Sequence, residues 1–234
     1  AGIGVPFFSY LLASLAVRLA AVSDDQQTAF RFSIMIANTA FLGIPICEAI
    51  FGPIGAVYAV LYDFGTTLVA LTFGIWELSG GRLSRWRPLF FNPLIWGVLA
   101  GLAWALGGWT FPEWLASPLS TLGNATLPLA LLVGGAQVGH IHSQVAAWWR
   151  QLTGLLLVRL ILVPLLVAGF LVVIGWNNLF AGVIIVQSAM PVGLTTAIMA
   201  KSFGADARFA ALATLWSTLV AMITLPLVAF LLIK

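Results

Sequence analysis

The stretch Ile36-Ala37-Asn38-Thr39-Ala40-Phe41-Leu42-Gly43-Ile44-Pro45 decides the fold, together with Val186-Gln187-Ser188-Ala189-Met190-Pro191-Val192-Gly193. Each sets polar groups inside a long apolar run and adds proline and glycine close by. Proline removes a backbone donor and clashes with the preceding turn. In an apolar medium the freed carbonyls need partners from neighbouring helices or a water-filled cavity. Either stretch alone reads as an ordinary proline kink. The pair, in matching positions, reads as two broken helices.

The rest of the chain makes that medium lipid. Of 234 residues, 62% are hydrophobic and 7% charged, and the mean hydropathy is +1.09. Soluble domains carry about 25% charged residues. A spanning helix needs about 20 apolar residues. Eight apolar segments fit, at roughly 4–22, 29–52, 56–78, 93–109, 116–138, 152–175, 178–200 and 208–233. Unbroken runs such as 152–175 argue against a transmembrane barrel, whose strands alternate. The loops carry turn chemistry, as in Ser79-Gly80-Gly81 and Asn177-Asn178. Cys47 is the single cysteine, so no intrachain disulfide forms.

Charge sets the orientation. If 23–28 is cytoplasmic, one side collects Arg18, Arg31, Arg82, Arg85, Arg87, Arg150, Lys201 and Arg208, and the other has Lys234. The positive-inside rule then puts both termini outside. The net charge of +3 is scattered over helix ends, which argues against nucleic acid as a partner. Trp76, Trp96, Trp109, Trp114 and Trp176 fall near segment ends, as interfacial anchors do.

The surroundings of the two breaks also match. Phe51-Gly52 follows one and Phe203-Gly204 the other. Thr66-Thr67-Leu68-Val69-Ala70 resembles Ser217-Thr218-Leu219-Val220-Ala221. Residues 1–78 are thus expected to form an incomplete first repeat of three helices, broken within 29–52. Residues 93–234 are expected to form a second, inverted repeat of five helices, broken within 178–200. Interrupted helices at equivalent places in inverted repeats point to a transporter's binding site. Half-helices are expected to start near Pro45 and Pro191, because proline favours the first helical position. Their N-termini would suit an anion such as a carboxylate. The carbonyl ends of the preceding halves would suit a cation instead.

Asn38, Gly43, Pro45, Gln187, Pro191 and Gly193 are the expected substrate-binding positions. Asp63, inside its helix, reads as a coupling or gating group or as a hydrated structural carboxylate. Glu48 reads as a helix-dipole partner or a ligand contact. Arg159 either snorkels to the interface or balances an anion. Asn124 and Gln137 fit interhelical hydrogen bonding. His140 and His142, without acidic or cysteine neighbours, make no metal site, and no cofactor is expected. The sequence holds no phosphate loop, nucleophile elbow or zinc-protease motif, so it does not read as an enzyme.

The run from Asn38 to Pro45, followed by Glu48-Ala-Ile-Phe-Gly52, resembles the first broken helix of the auxin efflux carrier family. Met190-Pro191 through Lys201-Ser-Phe-Gly204 looks like the second, and Arg159 through Pro164-Leu-Leu like the segment before it. The resemblance implies an all-α membrane fold, shared in outline with bile-acid/sodium symporters, with two crossing broken helices. It implies an elevator-like motion and export or uptake of a small organic anion such as auxin, malate or malonate. A sodium-coupled symporter and a non-transporting sensor or assembly partner are the alternatives. The family's ten helices set against eight here imply that two helices of the first repeat are lacking. A homodimer is left open. The short loops suggest a bacterial type in the inner membrane.

Overall fold

The computed structural model describes residues 1–81, 93–138 and 145–233, and among these every regular element is a helix, beside one isolated β-bridge. Helix α1 (Gly4–Leu19) shows how the solvent shapes the elements. Ser9, Ala13, Ala16 and Val17 face inward, while Leu11, Leu15 and Leu19 are exposed. Small residues let helix backbones approach closely, and large apolar ones cover the side that lipid wets. Helix α2 (Gln27–Met35) is central, with Phe30, Phe32, Ile34 and Met35 all buried.

After Met35 the chain leaves the helix: Ile36 is extended, at φ −102° and ψ 112°. A π-turn over Thr39–Gly43 leads into α3 (Ile44–Val69). A second π-turn (Ala70–Gly74) leads into α4 (Ile75–Leu78). Thr39–Leu78 is a 40-residue apolar run, which would be about 60 Å long if straight. A hydrocarbon core is about 30 Å thick. Gly52 resolves the mismatch, since its φ of 72° and ψ of −167° break the helix before Pro53 starts the next. Segments two and three are therefore joined by a single non-helical residue, with no separate loop.

The later elements are α5 (Pro93–Leu106), α6 (Glu113–Val138), α7 (Val145–Leu157), a π-turn (Val158–Leu162) and α8 (Val163–Val173). They are followed by α9 (Leu179–Ser188), α10 (Thr196–Phe203) and α11 (Ala207–Ile233). Asn178 starts α9 by accepting from the Ala181 N–H at 2.9 Å. Asp206 caps α11, accepting from the N–H groups of Arg208 and Phe209, both at 3.0 Å. Gly204 ends α10 at φ 84°, as Gly52 ends the stretch after the first break. Thr39–Leu78, Trp148–Val173 and Ala207–Leu231 are long and apolar enough to cross a membrane.

Two ends of the bundle can be traced. Gln26 donates to Asp206 at 3.2 Å, Phe209 meets Phe30 and Trp148, and Arg31 pairs with Glu77 at 3.2 Å. The described residues that flank the loops expected on the arginine-rich side thus share one end. At the other, Tyr58 contacts Phe180 and Trp176 contacts Phe180. Arg82, Arg85, Arg87, His140, His142 and Lys234 lie outside the described residues. Asn124 and Gln137 fall on α6.

Candidate functional site

The two breaks meet. Ala37 and Val192 form an antiparallel bridge. Asn38 N–H donates to the Pro191 carbonyl at 2.8 Å, and Gly193 N–H donates to the Ile36 carbonyl at 3.0 Å. Two unwound segments thus satisfy each other where no ladder exists. Helix α11 supports the crossing, because Ser217 Oγ accepts from Val192 N–H at 3.0 Å.

The α-helix of the first half starts at Ile44 with Pro45 in its first positions, as expected, but the helical path as a whole starts earlier, and the second half-helix starts well after Pro191. The first begins with the π-turn at Thr39, six positions before Pro45, and the second at Thr196, five after Pro191. Pro45 lies one turn inside that helical path, where its ring disfavours the preceding carbonyl and opens the turn to the wider π geometry. Pro164 follows the π-turn at Val158–Leu162 in the same way. Pro191 lies in the unwound segment itself, where an absent N–H costs nothing and the carbonyl is used.

Beside the crossing is a cleft of about 200 Å³. Asn38, Thr39, Asp63, Thr66, Thr67, Gly193 and Thr195 line it, with Phe41, Leu71 and Met199 as apolar wall. Asn38 is 2% exposed, and neither its amide nitrogen nor its oxygen has a hydrogen-bond partner among the described residues. Buried polar groups are nearly always paired, so an unpaired amide on a cleft marks a place for a ligand or water. Asp63 is half-buried and accepts from Thr39 Oγ1 at 2.5 Å.

The other expected positions separate. Gly43 and Gln187 meet one layer away from the cleft. A Cβ on Gly43 would run into the Gln187 side-chain amide, which would have to shift to admit it. Gln187 is fully buried, donates to the Ala59 carbonyl at 3.4 Å and leaves Oε1 unpaired. Pro45 and Glu48 are exposed and do not line the cleft.

Arg159 does not snorkel. It is 1% exposed, and its guanidinium donates to three carbonyls: Met190 at 2.9 Å, Ser188 at 3.0 Å and Ile34 at 3.3 Å. These lie at the C-terminal ends of α2 and α9, the two halves that lead into the crossing. A cation there complements the negative ends of both helix dipoles. Arg159 ties the breaks together from behind and does not line the cleft.

Sequence reasoning passed over Thr39, Thr66, Thr67 and Thr195. A signal was present for two of them, since Thr66 and Thr67 lie three and four residues after Asp63, on one helix face.

Paired broken helices crossing within a helical bundle, beside a small polar cleft, define a membrane carrier more readily than a catalyst. Comparison with known proteins agrees: residues 3–229 match the model of the family described as membrane transport protein. The chain belongs to that family, which includes the auxin efflux carriers, and is a multi-pass membrane transporter rather than an enzyme. An uncharacterized transporter of Methanothermobacter thermautotrophicus is 30% identical, over 92% of this chain and 72% of its own. One from Methanocaldococcus jannaschii is 23% identical, over 98% of this chain and 75% of its own. Auxin efflux carrier component 8 of Arabidopsis thaliana is 25% identical over 61% of this chain, a match spanning 40% of the plant protein.

Proposed function

We propose that this transporter is a secondary carrier or uniporter that moves a small organic carboxylate through the crossover cleft by elevator-type alternating access. The observation that carries the reading is Asn38, a buried amide with both atoms unpaired, on a cleft at the start of a half-helix. Its nitrogen offers a donor to a carboxylate oxygen, and the first turn of the half-helix adds unpaired N–H groups and positive potential. The auxin carriers among the relatives favour a carboxylic acid of this kind.

Arg159 favours a sodium-independent carrier over a sodium symporter. The carbonyls that a cation would need at the ends of α2 and α9 already accept from its guanidinium. Flux of radiolabelled indole-3-acetate and malate into proteoliposomes tests the reading. Wild-type flux that falls at least about tenfold in Asn38→Ala is expected, matching the loss of one charge-assisted hydrogen bond. Undiminished flux in the variant removes Asn38 from the site.

A further inference from the structure

Asp63 sets an electrostatic condition on any carboxylate that enters the cleft. Among the described residues lining that space of about 200 Å³, Asp63 is the one titratable group, and none is a lysine, arginine or histidine. The Thr39 hydroxyl donates to Asp63, and the cleft is further lined by Thr66 and Thr67 on its own helix, Thr195 at the second break and Met199 of α10. Helix α9, packed on α3, contributes the uncharged Gln187. The neighbouring Tyr62 is a buried phenol. Arg159 is committed to three carbonyls, Arg31 and Glu77 pair with each other near α4, and Lys201 is exposed. Among the described residues of the cleft, an incoming carboxylate therefore meets one carboxylate and no balancing cation. Two carboxylates sharing a small site do not both ionise.

A second observation separates Asp63 from a purely structural role. Counting back three residues from the matched Thr66 and Ser217 sets Asp63 against Thr214. Thr214 Oγ1 donates to the Gly193 carbonyl at 3.4 Å and to the Ala210 carbonyl at 2.9 Å. A neutral hydroxyl thus contacts the second unwound segment as Asp63 contacts the first through Thr39. Holding a segment in place does not call for an ionisable group.

We infer that Asp63 is the proton site of the carrier: whenever an organic carboxylate occupies the crossover cleft, Asp63 holds one proton. The proton comes from the aqueous side open to the cleft and rests on a carboxylate oxygen of Asp63, where it can be donated to the bound anion. No other bond forms or breaks, and proton and anion leave together. This rests on the carboxylate reading above.

The test is the affinity of the purified full chain for indole-3-acetate, measured by calorimetry from about pH 6.5 to 9.5, where the probe stays ionised. Wild-type affinity is expected to fall about tenfold per pH unit at the alkaline end, the slope for one linked proton. Asp63→Asn, a mimic of the protonated state, is expected to bind with no slope. Asp63→Thr, which copies the Thr214 arrangement, gives the same readout if the amide variant folds poorly. A flat wild-type profile, or an unchanged slope in both variants, overturns the inference and leaves the carboxylate reading standing. Failure of the wild type to bind indole-3-acetate, malate or malonate at any pH overturns both. Binding of tetraethylammonium that is lost in Asp63→Asn overturns the inference in favour of direct charge pairing.

Discussion

Gly43 and Gln187 illustrate how much of the crossover depends on single side chains. The Gln187 side-chain amide fills the space a Cβ on Gly43 would need, and it is fully buried, so it would have to shift within the core. Overpacking of this kind typically costs about 1–3 kcal/mol. Gly43→Ala is therefore expected to lower the unfolding midpoint in detergent. Gln187→Ala should recover part of that loss in the double variant, since the two positions are in contact. Additive losses in the double-mutant cycle would contradict the contact. At this scale the sequence was partly legible. Asn38 and Asp63 stood out because polarity inside an apolar run has few explanations. Arg159 stood out too, but its partners did not. They are backbone carbonyls, which side-chain patterns cannot report, so the sequence left Arg159 between snorkelling to the interface and balancing an anion.

Among the elements, the two helix halves before the crossing end in the same guanidinium. Hydrogen bonds to a charged group contribute about 1.5–3 kcal/mol each, and buried carbonyls left without partners cost more. Arg159→Met is expected to destabilise the fold by about 3–5 kcal/mol, read as a thermal shift in detergent. Arg159→Lys should restore only part of this, because an ammonium lacks the planar fork that reaches three acceptors. Equal stability of the lysine variant and the wild type would contradict the clamp. Gly52 makes a similar point. Its backbone conformation is nearly exclusive to glycine, so Gly52→Ala should cost about 1–3 kcal/mol. The breaks themselves were legible from proline and glycine, as was the start of α3 near Pro45, but the π-turn before it and the late start after Pro191 were not. Pro45 is best tolerated at a helix start, and the π-turn lets it sit a turn inside the helical path.

For the whole molecule, composition and charge asymmetry were enough to give a helical membrane protein and the grouping of its loops. The pairing of the breaks was suggested by matched motifs and is realised as the Ala37–Val192 bridge. The cleft was less legible, because it draws on three separate elements whose threonines look unremarkable in sequence. At this scale we expect flux to be unaffected when sodium is replaced by choline, since Arg159 already occupies the carbonyl acceptors behind the crossing. Uptake that requires sodium would contradict this.

The crossing is the feature on which site and function both depend, and it can be measured directly. Ala37 and Val192 are flanked by the two crossing hydrogen bonds rather than sharing them. That geometry brings Cα atoms to about 4.5 Å, close enough for a disulfide. With Cys47 changed to alanine, the double variant Ala37→Cys/Val192→Cys should oxidise readily and lose both maleimide-reactive thiols under denaturing conditions. Two thiols that stay free after oxidation would mean that the segments do not cross there.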